Sequence, residues 1–323
     1  MLSYPDYQHK QIAIITSDEY KNMTLRAGNI IIKQDDQIIN QLSCAKIFCL
    51  WIVGDCTLTT KLIDELLGYG ISIYCLGSHL KPKFVIGNQL EGNYLLRIQQ
   101  YQSDSDLLQA KHIVTNKIYN QLHLLKSLRS KSDVLKNTIK QIDQIISNIQ
   151  SIDNIDSLRG YEGTAAKLFF GQYFFECDRY RRSPRTKIDV PNFLLDMGYG
   201  FLYNFMEAHL NLYGFDIYKG FYHTLFFERK SLVCDIIEPF RCIIDQTIRK
   251  AYNLGQINEK DRKLTKGQYR IDRETSKKYI KLFLEALMSN KKDIFIYTKG
   301  YYRAVINNQF NDLPYFYINQ TLG

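Results

Sequence analysis

The chain has 323 residues, 45% of them hydrophobic, so it can form a sizeable core and wholesale disorder is excluded. It has no run of about 18 apolar residues and no apolar signal core at its N-terminus, so we expect a cytoplasmic protein. Its 42 Lys and Arg against 33 Asp and Glu give a net charge of +9, which suits a polyanionic partner without establishing one.

The first part of the chain is predicted to be a small β-rich domain. Short runs rich in Ile and Val alternate with turn signals, a pattern typical of β-strands. One helix from about Thr57 to Leu67 is expected among them, because its leucines fall near one face and glycines follow it. The predicted strands are Gln11–Thr16, Met23–Arg26, Asn29–Lys33, Gln37–Asn40, Ile47–Val53, Ser72–Leu76 and Lys83–Ile86.

From about residue 88 onward the periodicity becomes helical. Apolar residues recur at mostly three- and four-residue steps from Leu90 to Leu128 and from Asp133 to Ile155, with a polar, Ser-rich stretch between. Prolines and glycines mark joints in the remainder, which is also predicted to be helical. The sequence therefore predicts an α+β protein, with a β-rich domain over residues 1–87 and a larger all-α domain over residues 88–323.

Glu162 is the first candidate site residue. It lies near the predicted start of a helix, among small residues such as Gly160 and Gly163 that are expected to let another element approach closely. A carboxylate withdrawn from water there needs a metal ion or another cation beside it. The alternative is an ordinary acid at a helix N-terminus, favoured by the helix dipole. The buried face of this helix is predicted to consist of Ala166, Phe169, Phe170 and Tyr173.

A lone histidine followed by two acids forms the second candidate cluster, at His223, Asp235 and Glu238. The acids are three residues apart, so on a helix they share a face. Pro239 is tolerated only near a helix start. We therefore expect a helix to begin around residues 234–238, with both carboxylates in or beside its first turn.

Two carboxylates and one imidazole form a ligand set that suits Mg²⁺ or Mn²⁺ better than structural zinc. A divalent ion held in this way can polarise a phosphodiester and lower the pKa of an attacking hydroxyl. The alternatives are a satisfied core histidine, and acids that form ordinary ion pairs with Arg241 or Arg229.

Four segments resemble those of a known protein family in their residues and in their order along the chain. They are Gly160-Tyr-Glu-Gly-Thr-Ala-Ala, Pro191-Asn-Phe-Leu-Leu-Asp-Met-Gly-Tyr, Gly220-Phe-Tyr-His and Ser231 through Arg241. They resemble the CRISPR-associated integrase-endonuclease family conventionally called "Cas one", although the second segment is one residue shorter than the family pattern. The resemblance covers essentially the whole chain. It implies that Glu162, His223 and Glu238 are the metal ligands, with Asp235 supporting them or acting as an alternate ligand.

The same resemblance implies an activity and partners. The expected protein is a metal-dependent DNA endonuclease and integrase, using Mg²⁺ or Mn²⁺, that inserts short DNA fragments into a CRISPR repeat array by transesterification. The absence of a P-loop motif agrees with a reaction that needs no nucleotide. The implied partners are double-stranded DNA, a second copy bound through the N-terminal domain, and the "Cas two" protein. The alternatives are a metal-dependent nuclease acting on branched DNA in repair, and a catalytically idle DNA-binding scaffold.

A basic stretch lies between the two candidate clusters in sequence. Arg179 through Lys187 holds five cations in nine residues. We expect Arg181, Arg182 and Arg185 to contact the DNA backbone. The alternative is a solvated basic loop. Arg241 is expected either to help neutralise a phosphate beside the metal or to pair with the acids.

Overall fold

The computed structural model describes residues 2–16, 21–54, 56–77, 82–87, 93–129, 132–174, 182, 189–223, 227–265, 268–271 and 273–319. The chain divides into two compact units, Met1–Asn93 with Asn211–Gly214, and Tyr94–Leu210 with Phe215–Gly323. The predicted boundary between residues 87 and 88 stays a prediction, since residue 88 lies outside the described residues. Within those ranges, no helix is long and apolar enough to span a membrane.

Two four-stranded sheets form the framework of the first unit. The elements are α1 Tyr4–Tyr7, β1 Gln11–Thr16, β2 Lys21–Arg26, β3 Asn29–Gln34, β4 Gln37–Ser43, β5 Ile47–Val53, β6 Cys56–Leu58, α2 Thr60–Gly68, β7 Ser72–Leu76 and β8 Pro82–Ile86. The strand orders of the two sheets are β1-β5-β7-β8 and β4-β3-β2-β6. The central strand β5 pairs in parallel with both β1 and β7 and is buried on both faces, which explains its continuous apolar run.

The prediction of a β-rich first part is confirmed, but the predicted start of its helix is wrong. Residues Cys56–Leu58 are extended because they pair in parallel with β2. The side chain of Thr59 then accepts a hydrogen bond from the Leu62 N–H, so the helix α2 begins at Thr60. The leucine periodicity correctly predicted the helix, whereas the cap that fixes its first residue was missed.

The second unit is mostly helical, as predicted. It also contains a short antiparallel hairpin, β9 (Arg262–Thr265) paired with β10 (Gln268–Ile271), that the prediction of an all-α domain did not include. The elements are α3 Tyr94–Gln102, α4 Asp106–Lys126, α5 Asp133–Ile149, α6 Ile155–Tyr173, α7 Val190–Tyr213, α8 Ser231–Ile236, α9 Arg241–Asn253, β9 Arg262–Thr265, β10 Gln268–Ile271, α10 Arg273–Ser289 and α11 Lys291–Ile306.

Helix α4 is central to the second unit. It contacts α5, α6, α8, α9 and the 3₁₀ turn Glu238–Phe240 that precedes α9. The chain after α11 lies along α4, where the buried Asn116 and Asn120 bond to its backbone. Asn116 donates to the Phe316 carbonyl at 2.6 Å, and Asn120 accepts from the Ile318 N–H at 3.0 Å. These amides satisfy backbone groups of residues 313–319, which form no sheet or helix of their own.

The predicted helix start around residues 234–238 is wrong. Helix α8 already begins at Ser231, and Pro239 interrupts the helical path between α8 and α9. Proline has no N–H to donate into the preceding turn, which is why the chain tightens into a 3₁₀ turn there. Asp235 therefore lies near the C-terminal end of α8, and only Glu238 lies just before the start of a helix.

Candidate active site

Glu162 lies in the middle of α6, and its carboxylate faces α4. Its Oε1 atom lies 2.5 Å from the Nζ atom of Lys117. Its Oε2 atom accepts a hydrogen bond from the Tyr222 hydroxyl at 2.5 Å. The helix-dipole explanation does not apply to Glu162, because that effect is confined to the first turn of a helix.

The small residues beside Glu162 do not pack closely against another element. No neighbouring atom lies within 4 Å of the position that a Cβ would take at Gly160 or Gly163. Both glycines are exposed, so the expected close approach is wrong for them. The buried residues of α6 form a stripe at mostly four-residue steps, consisting of Leu158, Ala165, Phe169 and Tyr173.

Glu238 meets the same lysine as Glu162 and is only 2% exposed. Its Oε2 atom lies 2.6 Å from the Lys117 Nζ atom, and its Oε1 atom lies 2.9 Å from Nη2 of Arg241. Burial raises the pKa of Glu238, but the charges of Arg241, Lys117 and His223 outweigh burial and lower that pKa to about 2. Glu238 is therefore an ionised carboxylate in a nearly water-free position.

Lys117 shows the complementary effect. Burial lowers the pKa of this lysine, but the neighbouring Glu162 and Glu238 carboxylates outweigh burial and raise it. The three side chains form a compact, largely buried cluster in which the ammonium touches both carboxylates.

His223 is held by a different kind of contact. The fully buried carboxylate of Asp235 has its Oδ1 atom 2.6 Å from the imidazole Nδ1 atom and 2.9 Å from the His223 backbone nitrogen. Its Oδ2 atom accepts hydrogen bonds from the backbone N–H groups of Phe221 at 2.8 Å and Tyr222 at 3.1 Å. Asp235 thus fixes both the loop and the ring, and Nε2 is the ring nitrogen that it leaves available.

Gly220 allows this loop to lie against α8. A Cβ at this position would lie 2.6 Å from the Asp235 Oδ2 atom and 2.8 Å from the Ser231 Cβ atom. Both distances are shorter than van der Waals contact permits, so only glycine fits here without displacing the carboxylate that holds His223.

Tyr222 links the two clusters. Its hydroxyl bonds to Glu162, while its backbone N–H bonds to Asp235. Arg159 donates from Nη2 to the Tyr222 carbonyl at 2.9 Å, and its guanidinium lies 5.8 Å from the centre of the ring. Tyr222 and Lys117 were not predicted as site residues. Tyr222 directly precedes the predicted histidine, and that position is the signal that could have identified it. Lys117 is one of three lysines in α4, and its neighbours in sequence do not distinguish it from the others.

The residues fit a divalent cation in part. The two glutamates converge, because an oxygen of each lies within 2.6 Å of one nitrogen. The buried Glu238 Oε2 atom is held against the Lys117 ammonium, and a carboxylate oxygen in such a position suits a cation. Among the described residues, however, no three His, Cys, Asp or Glu side chains are grouped so as to hold a metal ion. The three-ligand assignment stays a prediction.

The comparisons with known proteins decide the family. The family model described as CRISPR associated protein Cas1 matches residues 14–285. The chain belongs to the Cas1 family. A curated relative from Thermodesulfovibrio yellowstonii, named CRISPR-associated endonuclease Cas1 1, is 32% identical over 222 residues, which cover 65% of this chain and 70% of the relative. One from Leptospira interrogans, named CRISPR-associated endonuclease Cas1, is 32% identical over 203 residues, which cover 58% of this chain and 78% of the relative.

Solved structures share this Cas1 fold. A CAS1 protein from Thermotoga maritima aligns with a TM-score of 0.78 at 17% identity, covering 92% of this chain and 97% of that one. A casposase bound to its integration product aligns with a TM-score of 0.76 at 19% identity, covering 97% of this chain and 96% of that one. The α+β fold class and the family resemblance predicted from the sequence are both confirmed.

Of the three arginines in the basic stretch that were predicted to contact DNA, the structure describes only Arg182. Arg182 donates to Asn192 Oδ1 at 2.9 Å and to Asp196 Oδ1 at 2.7 Å, and only 15% of its side chain is exposed. Arg181 and Arg185 lie outside the described residues. Contact of these three with DNA therefore stays a prediction, and the described bonds of Arg182 are to the protein itself.

Arg241 connects the active-site cluster to a second buried acid. Its guanidinium lies 4.7 Å from the centre of the Tyr199 ring, and the Tyr199 hydroxyl donates to Asp245 Oδ1 at 2.5 Å. Burial raises the pKa of Asp245 to about 7, although the Tyr199 hydrogen bond and the nearby Arg241 charge lower it. Arg241 pairs with Glu238, as one of the two alternatives expected, and its contact with DNA stays a prediction.

Proposed function

We propose that this chain is a divalent-metal-dependent DNA endonuclease and integrase that inserts short DNA fragments into a CRISPR repeat array. The observation that carries the proposal is the convergence of the Glu162 and Glu238 carboxylates on one cation position, with the His223 loop joined to it through Tyr222. Its support from relatives is that they are named CRISPR-associated endonucleases, and that a casposase of the same fold is bound to its integration product.

Glu162, Glu238 and the Nε2 atom of His223 are the proposed holders of Mg²⁺ or Mn²⁺. A divalent ion held by these residues would supply positive charge to the phosphodiester and would lower the pKa of the attacking hydroxyl. Asp235 positions the imidazole by holding its Nδ1 side, and it remains the alternate ligand of the sequence-based prediction. Arg241 orients the Glu238 carboxylate through the other oxygen.

The proposed reaction exchanges one phosphodiester for another. The 3′-hydroxyl oxygen of the incoming DNA forms a bond to phosphorus at the repeat border, while the bond from that phosphorus to the neighbouring 3′ oxygen breaks. The proton of the attacking hydroxyl ends on the leaving oxygen, so no nucleotide cofactor is needed. When water takes the place of the hydroxyl, the same site cleaves DNA, which accounts for an endonuclease activity.

Double-stranded DNA, a second copy of the chain and the Cas2 protein are the proposed partners, in the cytoplasm. The net charge of +9 suits DNA. A second copy would bind through the N-terminal unit, where β4 is an edge strand with Ile38 and Ile39 exposed. A solved Cas6-RT-Cas1--Cas2 complex contains a chain of this fold, with a TM-score of 0.81, of which this chain covers 36%. That complex is the support for Cas2.

A strand-transfer assay tests the proposal. Fluorescent duplexes with free 3′-hydroxyls are incubated with a repeat-bearing plasmid, the Cas2 partner and Mn²⁺ or Mg²⁺. We expect Glu162→Gln, His223→Ala and Glu238→Gln each to reduce joining to about one hundredth or less, while DNA binding measured by fluorescence anisotropy stays near wild type.

The matched control is Glu207→Gln, which removes another buried carboxylate, paired with Lys230 at 2.7 Å outside the site. It should retain joining as long as circular dichroism shows a folded protein. Donor DNA with 3′-dideoxy ends should block joining and leave cleavage intact. Undiminished joining by all three site variants contradicts the proposal. Metal-dependent cleavage of branched DNA without any joining favours the repair nuclease instead.

A further inference from the structure

Lys117 occupies an unusual position for a lysine. It lies within α4, its side chain is 13% exposed, and its ammonium touches one oxygen of Glu162 and one oxygen of Glu238. The two carboxylates come from different elements, the helix α6 and the turn before α9. The ammonium is therefore the point at which three separate elements of the fold meet.

The contrast with another largely buried lysine is informative. Lys230 contacts both oxygens of the single carboxylate of Glu207, at 2.7 and 2.8 Å, as an ordinary ion pair does. Lys117 instead bridges two carboxylates, each through one oxygen. This bridging arrangement is the one that a metal ion adopts between two acidic ligands.

The local charges lead to the same conclusion. Glu162 and Glu238 contribute two negative charges, and Lys117 and Arg241 contribute two positive charges, so the cluster is neutral as it stands. A divalent ion entering between the carboxylates would meet the ammonium at contact distance and be repelled by it. The ion can bind there only if the ammonium moves away.

We propose that Lys117 is a built-in place-holder cation, which keeps the two metal-binding carboxylates together before a divalent ion binds and is displaced by that ion. This inference rests on the proposed function of the site, since it takes Glu162 and Glu238 as the ligands. Lys117 is a positioning residue in this role. It sets the affinity for the divalent ion through competition, and it prevents the repulsion between the carboxylates from opening the site.

Mn²⁺ alone is the probe, with binding measured by electron paramagnetic resonance and calorimetry. We expect Lys117→Met to bind Mn²⁺ about tenfold more tightly than wild type, because the competing charge is gone. In EDTA the variant should melt at a lower temperature than wild type, and Mn²⁺ should raise its melting temperature by more than it raises that of wild type. Lys117→Arg, which retains the charge, should bind Mn²⁺ more weakly than Lys117→Met.

Lys136→Met is the matched control, because Lys136 forms an exposed ion pair with Asp133 and lies on another helix. It should leave Mn²⁺ affinity unchanged. If Lys117→Met does not fold in EDTA, the double variant Lys117→Met/Glu162→Gln removes one charge of each sign and should recover a folded state. Failure of that recovery contradicts the place-holder role.

The results separate this inference from the proposed function. If wild type binds Mn²⁺ and Lys117→Met, correctly folded, binds it equally or more weakly, the place-holder role is wrong and the metal site stands. If neither protein binds Mn²⁺ and wild type joins no DNA, the proposed metal site fails as well. Tighter binding by Lys117→Met, with a larger stabilisation by Mn²⁺, supports the place-holder role.

Discussion

The two halves of the candidate site are held together by different forces. In the histidine half, formed by Gly220–His223 and Asp235, one buried carboxylate accepts three backbone hydrogen bonds and contacts the imidazole. In the carboxylate half, formed by Glu162, Glu238, Lys117 and Arg241, the contacts are between charged side chains. The first half is fixed by backbone geometry, whereas the second is fixed by charge.

This difference indicates which half can respond to a ligand. Backbone hydrogen bonds to a buried acceptor are directional and costly to leave unsatisfied, so the histidine half should keep one conformation. In a charge pair, by contrast, an entering cation can replace the positively charged partner, and an entering anion can replace the negatively charged one. The carboxylate half is therefore the part expected to rearrange when a divalent ion or a phosphate binds, and the histidine half is the fixed reference.

The largest effect is expected from Gly220→Ala in the histidine half. The new methyl group would lie 2.6 Å from Asp235 Oδ2 and 2.9 Å from the Ser231 carbonyl carbon, so the loop must move off α8. We expect the free energy of unfolding, measured in urea, to fall by about 4 kcal/mol. Gly171→Ala is the control, since nothing beyond the nearby backbone of α6 itself lies within 4 Å of its Cβ position, and it should stabilise slightly. Equal stability of the two variants would contradict the geometric account.

Asp235→Asn is expected to have the next largest effect. An amide retains one acceptor oxygen, so its NH₂ group must face backbone N–H donors that the carboxylate now satisfies. We expect a loss of about 3 kcal/mol in the free energy of unfolding. Asp133→Asn, which alters an acid that is 97% exposed, should change stability very little. A loss below that of the exposed control would mean that the backbone contacts do not fix the histidine half.

The sequence predicted the histidine half better than the carboxylate half. The histidine half lies within 16 residues of sequence, from Gly220 to Asp235, so the local sequence is enough to associate its residues. Glu162 and Glu238 were selected as site residues, but their meeting point on α4 depends on how distant helices pack. A lysine in a helix that contains two other lysines gives no local sign that it faces two carboxylates, and so Lys117 was missed.

The same distinction applies to the fold. Predicted strands such as Gln11–Thr16 and Ile47–Val53 match the structure, because Ile- and Val-rich runs between turns leave few alternatives. The three-residue strand β6 was missed, since its pairing with β2 is a tertiary contact without a periodicity of its own. Pro239 was interpreted as a helix start, whereas the residues on both sides of it are helical because α8 and α9 pack against α4.

Asn120→Ala tests whether geometry also contributes to the carboxylate half. Asn120 donates to the Pro239 carbonyl at 3.1 Å and to the Phe316 carbonyl at 2.9 Å, and thereby joins the Glu238 turn to the C-terminal segment. We expect a loss of about 2 kcal/mol in the free energy of unfolding, with faster hydrogen exchange at Ile318. Asn137→Ala, at an exposed position on α5, is the control. Unchanged exchange at Ile318 would show that Asn120 does not hold this segment.

Per pH unit, the smallest effect concerns Asp245, the buried acid behind Arg241. Its pKa is raised from 3.8 to about 7, so between those values the unfolded chain is ionised while the folded chain keeps the proton. Folding stability therefore falls as pH rises through this window, by at most about 1.4 kcal/mol per pH unit, and levels off above it. Asp245→Asn removes this contribution.

The measurement is the difference in melting temperature between Asp245→Asn and wild type. It should shift in favour of the variant from pH 4 to pH 7 and then stay constant. Glu238, whose pKa is lowered to about 2, contributes stability that is lost as pH falls towards that value, but this contribution is common to both proteins and cancels. A difference that is flat across the window would mean that Asp245 is ionised in the folded state. The charges around Arg241 would then hold two carboxylates rather than one, which would extend the charge-held half of the site to Asp245.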